Sequence, residues 1–424
     1  MSSSKPAPEI NTDRVIADLR ELARRTGGLA GSRRVAWSET WRQARAFFQQ
    51  LLDELGLRAE PDEAGNLWAS LQRGGRPAVA LGSHLDSVPG GGWLDGALGV
   101  MAAVGVLRAF IESGERPSRD LLVVDWADEE GARFGYSLFG SSAFAGALDV
   151  DAVRALPDPA HERLDDVLAA NGVEIARAPQ AGSRRADLAC YLELHIEQGP
   201  VLEAEGLRAG AVAGCVGVRR RRFTFIGRTG HAGTTPMELR HDAGLAAAEA
   251  ALAVERTAFR NGGTATTGAL ELDPGIVTAV AGLAQLLVDL RHGDAQQLAA
   301  MLEASTEAAR AAAAKRGCEL EVQELLTVEP VAFDERLVGL ARESCREVAG
   351  SDRVLTSGAL HDAAAVARRL PAAMVFAPSI GGVSHAANED TDESDLAVAI
   401  ETFGRLVGKV LAGYGAEADE GGAR

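Results

Sequence analysis

The chain has 424 residues, 46% of them hydrophobic and 24% charged, the balance of a folded soluble protein too long for one comfortable core, so two domains are expected. A formal net charge of −17 argues against nucleic acid or an anionic membrane as partner. No run approaches the ~18–20 apolar residues of a membrane span, MSSSKPAPEINTD lacks a signal peptide's apolar core, and the four cysteines form no CxxC pair, so a cytoplasmic protein with buried thiols is expected.

A polar, Pro-containing tail to about Ile10 precedes a helix through RVIADLRELARR, with Asn11 or Asp13 as cap. A second amphipathic helix follows Ser38 and stops at Gly56. LRAEPD, NLWASLQ and PAVALGS read as strands, and the last leads into GSHLDSVPGGGWLDGALG (82–99). Val100 to Ile111 reads as a buried helix and LLVVDWAD (121–128) as an apolar strand, an alternation that argues an α/β sheet with parallel neighbours. Residues 151–188 are loop and short helix, and ACYLELHIEQG is a further strand with Glu193, His195 and Glu197 on one face.

The pattern changes near Ala213-Gly214. RRRRFTFIGRTG (219–230) reads as a sheet-edge strand, followed by an alanine-rich helix from about Glu238 to Phe259. With the second alanine-rich helix and the strands around it, the order strand–helix–strand–strand–helix–strand predicts a ferredoxin-like α+β domain over 214–330. That domain is inserted into a catalytic domain formed by 1–213 and 331–424, with a mixed, largely parallel sheet. The tail AEADEGGAR is expected to be disordered.

His161 and His292 read as surface residues, whereas His84, His195, His231, His361 and His385 sit among Gly, Ser, Asp or Glu at expected strand ends. A metal site needs two or three imidazoles and as many carboxylates converging from separate strands. His84, Asp95, Glu130, His195 and His385 meet that requirement. Asp95 is the natural bridge between two ions ~3.5–4 Å apart, Asp86 is placed to orient the His84 imidazole, and Glu129 to take a proton from water.

GSHLDSVPGGGWLDGALGV, DEEGARFGYSLFGSSAFAG, LELHIEQGPVLE, GHAGTTPMELRHDA, SGALHDA and GGVSHAANE resemble, in that order, the amidase/hydantoinase/carbamoylase family of dinuclear-metal amidohydrolases. The motifs span residues 82 to 389, with weaker similarity from about Gly28. That family includes N-carbamoyl-L-amino acid hydrolases, allantoate amidohydrolases and β-ureidopropionases, and is related to metal-dependent aminoacylases and carboxypeptidases.

The resemblance implies a metallopeptidase-like α/β catalytic domain and an inserted lid or dimerisation domain. It implies one ion on Glu130 and His385, another on His84 and His195, and Asp95 between them, with zinc first and manganese, cobalt or nickel also accepted. Glu129 matches the general base that activates a water shared by the metals, and His231 an oxyanion donor offered across a homodimer. Arg291 matches the guanidinium that grips the carboxylate of a small substrate. Gly358, Thr278 and Val216 fall at substrate-contacting positions. Two of these depart from the family: Val216 stands where Gln is usual and Thr278 where Asn is usual, which replaces polar contacts with weaker ones or none. The reaction implied is hydrolysis of a linear amide or ureido bond. An aminoacylase or dipeptidase is the rival enzyme, and a non-catalytic binding protein on the same fold is the distant alternative.

Overall fold

The computed structural model describes residues 7–28, 31–72 and 77–414. The two tails expected to be loose lie outside these, apart from residues 7–10. Contacts divide the chain into two compact units, one of Met1–Ala213 with Phe333–Arg424 and one of Gly214–Ala332.

In the first unit, Asn11 caps the helix Thr12–Thr26 by accepting the Arg14 N–H, and Ser38 caps Glu39–Glu54 through the Trp41 N–H. The strands are β1 (Ala59–Pro61), β2 (Leu67–Leu71), β3 (Ala78–His84), β4 (Leu121–Trp126), β5 (Leu188–Ile196) and β6 (Gly210–Cys215). The second unit carries β7 (Gly217–Ile226), β8 (Gly230–His231), β9 (Thr264–Asp273), β10 (Ala279–Val280), β11 (Leu283–His292), β12 (Glu319–Val328) and β13 (Val331–Ala332). The chain then returns with β14 (Val354–Ser357) and β15 (Ala372–Ala377).

The first unit's sheet runs β1-β2-β4-β3-β5-β15-β6, with β14 also on β6. Pairs β3/β4, β3/β5 and β5/β15 are parallel, and β1/β2, β2/β4 and β6/β15 antiparallel. Parallel strands covered on both faces are buried along their length, as β3 and β15 are at every position. Helices Ala97–Ser113, Glu335–Val348 and Glu393–Gly413 pack on the sheet and share one core with it and with the first two helices. Among the described residues no helix is long and apolar enough to cross a membrane.

The second unit orders its four main strands β12-β7-β11-β9, all antiparallel, beneath the helices Ala243–Asn261 and Ala295–Lys315. Two expectations are corrected here. β7 is an interior strand rather than an edge. Its arginines are matched across the ladder: Arg219 pairs with Glu329, Arg221 with Glu324 and Arg220 with Asp289. The first alanine-rich helix begins at Ala243, not near Glu238, because Met237–Leu239 forms a separate 3₁₀ turn and Asp242 caps the helix through the Leu245 N–H.

Candidate metal centre

Open α/β sheets carry chemistry beyond the carboxyl ends of their parallel strands. Here β3 ends in His84, β4 runs into Asp128-Glu129-Glu130, β5 carries His195 one residue before its end, and β15 leads to the loop bearing His385. Asp95 arrives from the glycine-rich turn after β3. Gly96 has φ +66°, and a Cβ there would overlap the His84 ring, so the turn requires glycine.

Asp95 divides its oxygens. Its Oδ1 lies 3.1 Å from His195 Nε2 and 3.9 Å from His84 Nε2, and its Oδ2 lies 3.3 Å from His385 Nε2. His385 Nε2 is also 3.5 Å from Glu130 Oε2, and Glu129 Oε2 is 3.7 Å from His84 Nε2. Two donor groups thus share Asp95: His84, Asp95 and His195 in one, Asp95, Glu130 and His385 in the other. Within each, the ligand atoms lie within 4.8 Å of one another. Imidazole and carboxylate donors at such spacing fit a divalent transition ion. Glu193, His195 and His361 form a third group behind the first.

The imidazoles are oriented from the rear. His195 Nδ1 faces the Ile196 carbonyl at 2.9 Å and His84 Nδ1 the Asp86 carbonyl at 3.2 Å, turning both Nε2 atoms inward. The Asp86 carboxylate has a task besides the one expected. Its nearer oxygen stands 3.7 Å from His84 Nδ1, while its two oxygens accept the backbone N–H groups of Glu129 (3.2 Å) and Glu130 (3.1 Å). It braces the turn that carries both glutamates.

Burial holds His84 down at about 3, so its ring is neutral. His385, hydrogen-bonded to Asp95, is raised to about 9; His195 reaches about 9 because the Asp95 contact outweighs burial. Burial, reinforced by neighbouring carboxylates, pushes Glu130 up to about 8 and Glu129 well above the usual carboxylate range. Crowded, buried acids of this kind call for positive charge.

Backbone strain gathers here too. Among the described non-glycine residues with positive φ are Asp128 (+56°), Gln198 (+57°) and His385 (+56°), together with Trp37 (+66°), whose indole Nε1 donates to Asp128. Sequence reasoning missed several participants. Gln198 Nε2 donates to Asp95 Oδ2 and to Ser384 Oγ, both at 3.1 Å. Glu389 Oε1 accepts the N–H groups of Leu94 and Asp95. Both residues lie inside the recognisable motifs, LELHIEQGP and GGVSHAANE, but only loop closure reveals their partners. Gly358 follows β14, and a Cβ there would meet nothing within 4 Å.

His231, Val216, Thr278 and Arg291 belong to the second unit. His231 Nδ1 accepts the N–H groups of Gly233 (3.1 Å) and Thr234 (3.2 Å), so the ring proton resides on Nε2 of an exposed side chain. The Thr278 carbonyl accepts the Ala232 N–H at 2.9 Å, which keeps Thr278 beside His231. Arg291 lies opposite Val218 at the other end of β7, the end that Val216 precedes.

Residues 80–409 match the model of peptidase family M20/M25/M40. The chain is 35% identical to an N-carbamoyl-L-amino acid amidohydrolase of Geobacillus stearothermophilus, over 94% of this chain and 97% of that protein. It is also 35% identical to an allantoate amidohydrolase of Escherichia coli, over 89% and 92%. A crystal structure of a hydantoinase/carbamoylase family amidase from Burkholderia ambifaria superposes with a TM-score of 0.87 at 35% identity, covering 96% of this chain and 99% of that one.

Proposed function

The chain belongs to peptidase family M20/M25/M40 and is a metal-dependent amidohydrolase of non-peptide C–N bonds; from that premise we propose that it uses two divalent ions to cleave a linear ureido or amide bond in a small carboxylate-bearing substrate such as an N-carbamoyl-L-amino acid. The division of Asp95, Oδ1 toward His195 and Oδ2 toward His385, is the observation that carries this reading. His84 and His195 would hold one ion, Glu130 and His385 the other, and Asp95 both, with zinc the best match to the donors and manganese, cobalt or nickel also compatible. When bound, the ions supply positive charge that polarises a carbonyl and acidifies water.

Glu129 borders the donors and is the base: buried beside them, it takes the proton of the attacking water and returns it to the leaving nitrogen. Asp86 holds Glu129 in place through the backbone. His231, with its proton on Nε2, donates to the oxyanion as it forms. Arg291 grips the substrate carboxylate, with Val216 at the same end of β7, while Thr278 stands beside His231 at the other.

His231 serves a second copy of the chain. Arg291 is opposite Val218, and His231 lies beyond Ile226, eight residues further along β7. At ~3.3 Å per residue the two are roughly 25 Å apart, too far for one small substrate. A homodimer through the inserted domain resolves this. No disulfide joins any of the four cysteines, which agrees with a cytoplasmic setting.

Val216 has no polar side-chain atom and Thr278 a short one, which favours a second reading, an aminoacylase of N-acyl amino acids. Ammonia release from N-carbamoyl-L-amino acids, set against carboxylic acid release from N-acyl-L-amino acids by the metal-loaded protein, separates the two. Turnover of neither series would overturn both.

A further inference from the structure

Alternation along β11 buries Ala284, Leu286, Val288 and Leu290 against the helices and turns Asp289 and Arg291 to the opposite face of the sheet. Arg220 is the cross-strand partner of Asp289 and shares that face. The Asp289 carboxylate is bonded on both sides: Oδ1 accepts Arg291 Nε at 2.7 Å, and Oδ2 accepts Arg220 Nε at 2.6 Å and Arg291 Nη2 at 3.4 Å. Burial alone would raise its pKa, yet the hydrogen bonds from Arg291 and Arg220 hold it below the ordinary carboxylate value, so it is ionised at neutral pH. Two cations and one anion leave the triad with a single positive charge. Arg222, next on the same face, is engaged with the Gln323 side chain at 2.8 Å.

We propose that Asp289 and Arg220 are the specificity-determining partners of Arg291, Asp289 fixing the guanidinium plane and the pair holding the site at one net positive charge, so that the enzyme selects substrates bearing a single carboxylate. The inference rests on Arg291 being the substrate's carboxylate anchor. A second carboxylate on the substrate meets the Asp289 charge between the two arginines and is repelled. Neutralising Asp289 exposes two cations and welcomes a dianion, and neutralising Arg220 cancels the charge that a monoanion needs.

The test compares Asp289→Asn, Arg220→Gln, the double variant and Arg291→Ala with the parent enzyme. Each is assayed on N-carbamoyl-L-alanine against N-carbamoyl-L-aspartate, or on the N-acetyl pair if the enzyme takes acyl substrates. Calorimetric titration with propionate and succinate reads the same preference without turnover. Asp289→Asn should lower the monocarboxylate-to-dicarboxylate ratio of kcat/KM about tenfold and shift propionate-to-succinate affinity likewise. Arg220→Gln should raise the monocarboxylate KM about fivefold with kcat held. The double variant should return the ratio to within about twofold of the parent, a compensation that mere structural damage would not produce. A double variant no closer to the parent than Asp289→Asn overturns the proposal. An unchanged KM in Arg291→Ala overturns the anchor reading beneath it, whereas a raised KM there with an unchanged Asp289→Asn ratio overturns the proposal alone.

Discussion

The indole Nε1 of Trp37 donates to Oδ2 of Asp128 at 2.9 Å, tying the segment before the second helix to the turn that carries Glu129 and Glu130. Both residues adopt left-handed backbone conformations, and Asp128 is almost wholly buried. Replacing Trp37 with Phe keeps an aromatic ring and removes the donor. We expect a loss of about 1–3 kcal/mol in unfolding free energy, read by denaturant titration, together with lower kcat. An unchanged midpoint would show the contact to be dispensable.

Asp86 faces the His84 ring with its backbone carbonyl, while its carboxylate acts on the base-bearing turn through two backbone N–H groups. Asp86→Asn exchanges one acceptor for a donor and should reduce turnover about 10–100-fold while metal content stays near that of the parent. Loss of metal in step with activity would return Asp86 to the role of imidazole support.

Much of this arrangement was readable in advance, for definable reasons. His84 and His195 ride at strand ends and Asp95, Glu130 and His385 on the loops that follow strands, all among Gly, Ser or acidic residues, and such runs signal chemistry before any fold is known. The supporting contacts of Gln198, Glu389 and Trp37 were not readable, because each reaches a residue 91 or more positions away through loop closure: Trp37 to Asp128, Gln198 to Asp95, Glu389 to Asp95. The arginine run of β7 suggested a sheet edge, since nothing local reveals that Glu324 and Asp289 wait on neighbouring strands and Glu329 just past the end of one.

Removing metal by chelation should make stability sensitive to pH. Glu130 is raised to about 8 and Glu129 well above the usual carboxylate range, so between roughly pH 6.5 and 8 the folded state binds more protons than the unfolded one and loses stability as pH rises. His195 and His385, raised to about 9, lose their stabilising contribution in the same direction. His84, held at about 3, opposes this only below about pH 6.5. The Tm of chelated protein should fall by several degrees across that window, and restoring zinc should flatten the slope. A Tm that rises with pH in the chelated protein would contradict the charge balance described.

Because His231 and Arg291 stand at opposite ends of β7, each active site should draw on two chains. Mixing inactive His231→Ala with inactive Glu129→Gln and allowing exchange should recover about a quarter of parental activity, since half the dimers are hybrids and each hybrid holds one intact site. No recovery after demonstrated subunit exchange would mean that each chain builds its own site.

The central claim is that Glu129 moves protons beside a pair of ions it does not hold. Metal analysis and turnover of Glu129→Gln, measured on one preparation, test it most directly. The account predicts two ions per chain and turnover reduced by at least about 10³-fold, the scale at which an essential proton-transfer group is lost. Parental turnover, or loss of the ions along with activity, would contradict it.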